Sequence, residues 1–185
     1  RTGLSAGTYT VTATDISGCT ATNTATISQP TPLNISAAVT SVSCNGGNNG
    51  SITETVTGAT WPYSFNWGGG VTTQNRTGLT AGTYTVTVTD NAGCTASNVT
   101  SVSEPSVISA VPFVTSVTCN GGNDGAVNLT VNGGNSPYSY NWGGGITSQN
   151  RTSLIAGTYQ VTITDNSSCT ASASVVVNQA NAISI

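Results

Sequence analysis

The chain has no histidine and no methionine, its three basic residues are all arginine, and only 5% of its 185 residues are charged. Globular domains usually carry about 25% charged residues. Each shortage excludes something. Without histidine the usual general base is missing, and no serine or cysteine stands in a nucleophile elbow or beside a basic partner, so no enzyme is expected and no catalytic residue is assigned. Three scattered arginines cannot make the cation cluster that phosphates require, which argues against nucleic acid or an anionic membrane as partner. The absence of lysine rules out Lys–Asn isopeptide cross-links. With no histidine, no Cys-x-x-Cys pair and few carboxylates, zinc is poorly supported and no metal site is assigned. No apolar run is long enough for membrane insertion.

What is present is threonine, serine, asparagine and 22 glycines, interleaved with valine, isoleucine and a few aromatics. Alternation of apolar residues with Thr and Ser predicts β-strands, and the glycine content weighs against helix. The arginines stand at positions 1, 76 and 151, a period of 75, and each opens one phrase. Arg76-Thr-Gly-Leu-Thr-Ala-Gly-Thr-Tyr84 is its fullest form. Cys19, Cys94 and Cys169 keep the same period, as do Cys44 with Cys119, and Asp15, Asp90 and Asp165. A fixed period of this size identifies a repeat array. Gln29-Pro30 and Glu104-Pro105 mark boundaries, since proline ends a strand and stiffens a linker. The expected organisation is therefore 1–30 as the C-terminal part of a repeat, 31–105 and 106–180 as complete repeats, and 181–185 as the start of another.

Within 31–105 the pattern predicts strand A from Leu33 to Cys44, B from Ser51 to Thr57, and C around Tyr63, Phe65 and Trp67. One or two short segments follow between Val71 and Thr77, then F from Thr83 to Asp90, and a last strand, G, from Cys94 to about Ser103. Asn45–Gly50, Gly58–Pro62 and Asn91–Gly93 are the turns between them. Roughly seven short strands with regular turns predict an all-β, immunoglobulin-like β-sandwich, repeated as an elongated tandem array. Tyr63, Phe65, Trp67 and Tyr84, with Tyr138, Tyr140, Trp142 and Tyr159 one period later, alternate with polar residues and are assigned to the core. Sugar stacking is the competing reading of these rings. Leu79-Thr-Ala-Gly82-Thr-Tyr84 has the form of a tyrosine corner. Trp61, whose equivalent is Ser136, stands apart as a candidate for exposure. Arg76 is expected to pair with an acid or cover an aromatic.

These phrases together resemble a known family. Cys-Asn-Gly-Gly-Asn-Asp-Gly, Pro-Tyr-Ser-Tyr-Asn-Trp, Leu-x-Ala-Gly-Thr-Tyr-x-Val-Thr-x-Thr-Asp and Gly-Cys-Thr-Ala are similar to the SprB-type repeat, itself similar to PKD-type and immunoglobulin-like domains. The resemblance covers the whole period. It implies large surface proteins of Bacteroidetes, including gliding adhesins, exported by the type IX pathway and displayed outside the cell. Asn166-Ser-Ser168 departs from the Asn-Ala-Gly turn of the other copies.

Cysteines in small units of this composition indicate disulfides in an oxidising compartment, with buried free thiols as the alternative. Strand directions then constrain the pairing. Antiparallel succession puts Cys44 at one end of its sandwich and Cys94 at the other, roughly 25–30 Å apart. A disulfide needs Cα atoms within about 7 Å. An interdomain bond, Cys44 with Cys169, is favoured over intradomain pairing of Cys44 with Cys94, and leaves Cys19, Cys94 and Cys119 to partners outside the segment. Asp15, Asp90 and Asp165 each close strand F. An Asx-type turn is their ordinary role; calcium is the sharper alternative, the one cofactor considered, although oxygen cages usually gather several carboxylates. The expected function is a stalk or filament segment of a repetitive adhesin, partnered by neighbouring repeats, with lateral self-association or surface glycans as further partners. The alternative is a carbohydrate-binding module.

Overall fold

The computed structural model describes residues 1–184; Ile185, the end of the expected 181–185 segment, lies outside them. The described residues form fourteen strands and no helix. The first hairpin is β1 (Gly7–Thr14) and β2 (Thr20–Ile27). It is followed by β3 (Asn34–Thr40), β4 (Gly50–Thr57), β5 (Ser64–Asn66), β6 (Arg76–Leu79), β7 (Gly82–Thr89) and β8 (Thr95–Val102). The next period gives β9 (Ser109–Thr115), β10 (Gly125–Asn132), β11 (Ser139–Asn141), β12 (Arg151–Leu154), β13 (Gly157–Thr164) and β14 (Thr170–Val177). Each complete period thus has six strands where the pattern suggests about seven. The missing one lies between Trp67 and Arg76. Gly68, Gly69 and Gly70 all take left-handed φ values of 82°, 58° and 81°. Lacking side chains to pack, they close a turn through Val71 N–H to Gly68 O at 3.1 Å instead of a ladder.

Contacts group the chain into two compact units. One comprises Arg1–Ala37, Glu54–Gln74 and Thr85–Val99; the other comprises Ala38–Thr53, Asn75–Tyr84 and the chain from Thr100 onward. The second holds the whole of β9–β14. There the strands form two three-stranded sheets, ordered β12-β10-β9 and β11-β13-β14. Antiparallel registers such as Leu129 opposite Pro112 and Val161 opposite Ala173 set which residues face inward. Val127 and Leu129 from one sheet meet Val161, Ile163, Val175 and Val177 from the other in a single core, and Trp142 and Leu154 join it. This is a two-layer β-sandwich. Each fully buried aliphatic side chain contributes about 1.5–3 kcal/mol.

The earlier period repeats the sheet orders as β3-β4-β6 and β5-β7-β8. Ile52, Val86 and Val88 are as buried as their counterparts Val127, Val161 and Ile163. One inward position differs in kind: Glu54, 1% exposed, stands where the later repeat has Leu129. In the first unit, the β1–β2 hairpin pairs from Gly7–Ile27 to Thr14–Thr20 and is exposed almost throughout.

Candidate functional site

The chemistry of this chain concentrates where two turns meet within the second unit. One follows β3. Val42 N–H binds Ser103 O at 2.9 Å, and Gly47 N–H closes the turn on Cys44 O at 3.0 Å. Asn49 braces it, accepting from Ser43 N–H at 2.9 Å and donating to Ser43 Oγ at 2.6 Å. The turn also grips the linker to the next repeat. Asn45 Nδ2 donates to Pro105 O at 3.0 Å, and Gly46 N–H donates to a Glu104 carboxylate oxygen at 2.6 Å.

The other turn joins β13 to β14 and is built on Asp165. Its Oδ1 accepts from Ser167 N–H at 2.8 Å and Cys169 N–H at 2.9 Å, and its Oδ2 accepts from Asn135 N–H at 2.8 Å. Burial pushes the Asp165 carboxyl upward, but the N–H groups of Asn135, Cys169 and Ser167 together outweigh it and hold the pKa below the ordinary carboxylate value. Ser168 is forced to φ 65°, where Gly18 and Gly93 stand at 82° and 85° in the other copies. A serine in that region is strained. Asn135 Nδ2 bridges the two turns, donating to Ser167 Oγ at 2.9 Å and to Ser43 O at 3.2 Å.

Between these turns Cys44 and Cys169 are joined by a disulfide, with Cα atoms 5.6 Å apart and a sequence separation of 125. It ties the turn after the first strand of one period to the turn before the last strand of the next. Cys19, Cys94 and Cys119 are free and exposed.

The family model of the SprB repeat matches residues 36–72 and again 112–147. Two segments of the chain are thus similar to the SprB repeat. Each includes the cysteine after the first strand, Cys44 or Cys119, and the aromatic strand; Cys169 lies beyond both. No curated protein matches the chain. Among solved structures it is similar to the three N-terminal domains of the highly immunogenic outer capsid protein of bacteriophage RB49. The identity is 21%, over 80% of this chain and 59% of that one, with a TM-score of 0.49. The N-terminal eight Ig domains of the Down syndrome cell adhesion molecule are similar at 13% identity, over 94% of this chain and 28% of that one, with a TM-score of 0.48. A C-terminal fragment of intimin, in complex with the intimin-binding domain of the translocated intimin receptor, is 15% identical over 78% of this chain and 64% of that one, with a TM-score of 0.41. The chain therefore spans about 59% and 28% of the length of the first two.

The remaining residues singled out from sequence fall around the SprB segments as follows. Trp142 is buried at 9% exposure, whereas Tyr63, Phe65, Trp67, Tyr84, Tyr138, Tyr140 and Tyr159 are half-buried. The indole N–H groups of Trp67 and Trp142 donate to Thr73 O and Ser148 O, each at 2.8 Å. Tyr84 and Tyr159 hydroxyls donate back to Thr80 O and Ile155 O at 2.9 Å, the bond of a tyrosine corner. The Arg76 guanidinium lies 5.4 Å from the Tyr84 ring centroid; Arg151 lies 4.9 Å from Tyr159 and 5.7 Å from Trp142. Trp61 is 77% exposed. Asp15 and Asp90 repeat the Asp165 turn, with Cys19 N–H at 2.8 Å and Cys94 N–H at 2.7 Å. These carboxylates face N–H donors rather than further oxygens, and among the described residues no three Cys, Asp or Glu side chains gather as metal ligands would.

Sequence reasoning missed the linker clamp and Glu54. Asn45 and Asn120 recur at the 75-residue period, with Glu104 and Gln179 as their polar companions, so the clamp had a periodic signal. Glu54 breaks the inward run Ile52, Glu54, Val56 of β4 and was visible as a charge in an apolar phase. Burial holds its carboxyl above the ordinary range, partly offset by Asn98 Nδ2 at 3.4 Å.

Proposed function

We propose that this chain is a structural segment of a repetitive cell-surface adhesin, a spacer that holds an adhesive portion away from the cell. The observation that carries the reading is the covalent bond between consecutive periods, Cys44 to Cys169. Sandwiches of about 75 residues bury a small core and are individually marginal. A cross-link spanning their boundary suits a protein that transmits load outside the reducing cytosol. The two SprB matches support the same reading. Display by the type IX pathway on a gliding member of the Bacteroidetes is the finer form of the proposal, as is lateral association of chains.

The test is antibody labelling and protease shaving of intact cells of the source bacterium, with negative-stain images of the released full-length protein. Surface labelling and a thread of regularly spaced beads are expected; labelling only after lysis overturns the proposal. Trp61, exposed beside the β4–β5 turn, favours a second reading, a carbohydrate-binding repeat. A glycan array distinguishes the two, since a spacer binds none of the glycans and a module loses its binding on Trp61→Ala.

A further inference from the structure

We propose that the turn around Cys119 is a preformed socket for the cysteine turn of a further repeat, and that the two become joined by a disulfide to Cys119. The filled site and the open one can be compared position by position in the same molecule. At the closed bond, Cys44, Asn45, Val107 and Ile108 line the recess that also contains Ser168 to Ala171. One period on, Cys119, Asn120, Ala182 and Ile183 line a recess of about 360 Å³ with no cysteine turn in it.

The frame of the open recess is already built. Asn120 Nδ2 donates to Ala180 O at 3.3 Å, and Gly121 N–H donates to the Gln179 side-chain oxygen at 2.9 Å. Gly122 N–H closes the turn on Cys119 O at 3.0 Å, the same length as in the bonded copy. Asp124 replaces Asn49 as the brace, accepting from Thr118 N–H at 3.0 Å and from its hydroxyl at 2.5 Å. The socket does not depend on the bond for its shape. Nor does the incoming turn. Asp90 holds the free Cys94 through the same N–H bonds by which Asp165 holds the bonded Cys169. All three copies read Asp-x-x-x-Cys-Thr-Ala at this turn, at Asp15, Asp90 and Asp165. The occupant is therefore a turn of that sequence, entering with its cysteine toward Cys119.

Bond formation needs an oxidant, here a low-molecular-weight disulfide such as oxidised glutathione. The Cys119 thiolate attacks one sulfur of that disulfide and releases one thiolate. The incoming cysteine thiolate then attacks the Cys119 sulfur of the mixed disulfide and releases the second. Two protein thiols are oxidised, one disulfide is reduced to two thiols, and the two protons pass to the released thiolates.

The inference rests on internal geometry and stands whether or not the protein is an adhesin. To test it, residues 1–180 are followed by a second copy of residues 106–180, and the protein is folded with oxidised glutathione. Non-reducing peptide mapping is expected to link Cys119 to the appended copy of Cys169, and the count of alkylatable thiols stays at the three of the present chain. A Cys119 that remains alkylatable while Cys44–Cys169 is closed overturns the proposal. If Cys44–Cys169 itself fails to close, the same measurement is made with residues 31–105 appended instead, and the same criterion decides.

Discussion

Replacing Cys169 by serine removes a cross-link between positions 125 apart while changing a single, half-buried side chain at the edge of the core. In the loop-entropy account the bond acts by confining the unfolded chain, and a closed loop of that length is worth about 4.9 kcal/mol at 25 °C. A second route gives a similar figure. If residues 106–180 unfold while 31–105 stay folded, the free loop runs only from Pro105 to Cys169, roughly 64 residues, and the value is about 4.3 kcal/mol. Both are upper values, because cross-links often deliver less than chain entropy predicts. Domains of this size have a total stability of roughly 4–11 kcal/mol, so the bond is of the same order as the fold itself. With a urea dependence of roughly 1 kcal/mol per M, the unfolding midpoint of the later repeat should fall by about 2–4 M. Urea titration followed by the fluorescence of buried Trp142 measures it, with Cys119→Ser as a control expected to leave the midpoint in place. Reduction of the parent protein should reproduce the Cys169→Ser result. A difference of less than about 1 kcal/mol between the oxidised and Cys169→Ser proteins would refute the loop argument.

Three further outcomes are expected. The paired change Glu54→Leu with Asn98→Ala copies the Leu129 and Ala173 of the later repeat and removes a desolvated carboxylate; it should stabilise the earlier repeat by about 1–4 kcal/mol, seen as a raised calorimetric transition. The two repeats should also respond oppositely to acid. Glu54 has its pKa raised by burial from 4.5, so its contribution is full below that value and is lost as pH rises through the higher folded pKa. Asp165 has its pKa lowered from 3.8, so its contribution is present above that value and is lost as pH falls through the lower folded pKa. Melting curves between pH 3 and 7 should show the later transition falling at the acid end while the earlier one holds or rises, and Asp165→Asn should flatten the later response. Finally, Ser153 and Ser168 hold φ 57° and 65° where the earlier repeat has Gly78 and Gly93. Changing both to glycine should stabilise the later repeat by about 1 kcal/mol per site before the entropy cost of glycine, measured by the same melts.

Much of the sandwich was legible because period-two alternation is a strong local signal. Predicted strands B and F, Ser51–Thr57 and Thr83–Asp90, meet the observed β4 and β7 to within a residue at each end. The strand sought near Val71 was not legible, because three left-handed glycines and a turn bond use up the chain that would have formed it. The aromatics show the limit of alternation: it reports which face a ring takes, and not how far a narrow sandwich covers it. Seven of the eight remain half-buried, and over two of them, Tyr84 and Tyr159, an arginine guanidinium lies on the ring. The disulfide site was approached through strand direction, which places turns at opposite ends of a sandwich. Of its bracing the sequence shows only the periodic recurrence of Asn45 and Asn120, and not the partners, because Asn45 to Pro105 and Asn135 to Ser43 join residues 60 and 92 positions apart.

Comparing the two complete periods separates what the repeat keeps from what it lets vary. The core changes in kind: a buried carboxylate, Glu54, and the half-buried amide of Asn98 in one copy become leucine and alanine in the other. The left-handed turn positions change as well, glycine giving way to serine at a cost in strain. The joint turns, by contrast, keep their geometry even where the chemistry is exchanged. Asn49 becomes Asp124 and still receives the N–H of the residue after the buried valine. Glu104 becomes Gln179 and still accepts from the same turn glycine. Substitutions that swap a charge for an amide while retaining each hydrogen bond mean that the constraint lies on the position of the bond, not on its electrostatics. A core tolerates exchange of its side chains as long as its volume stays filled and its overall pattern is kept. A disulfide requires its two Cα atoms within a window of a few ångströms, and that requirement accounts for which of the two the repeat has preserved.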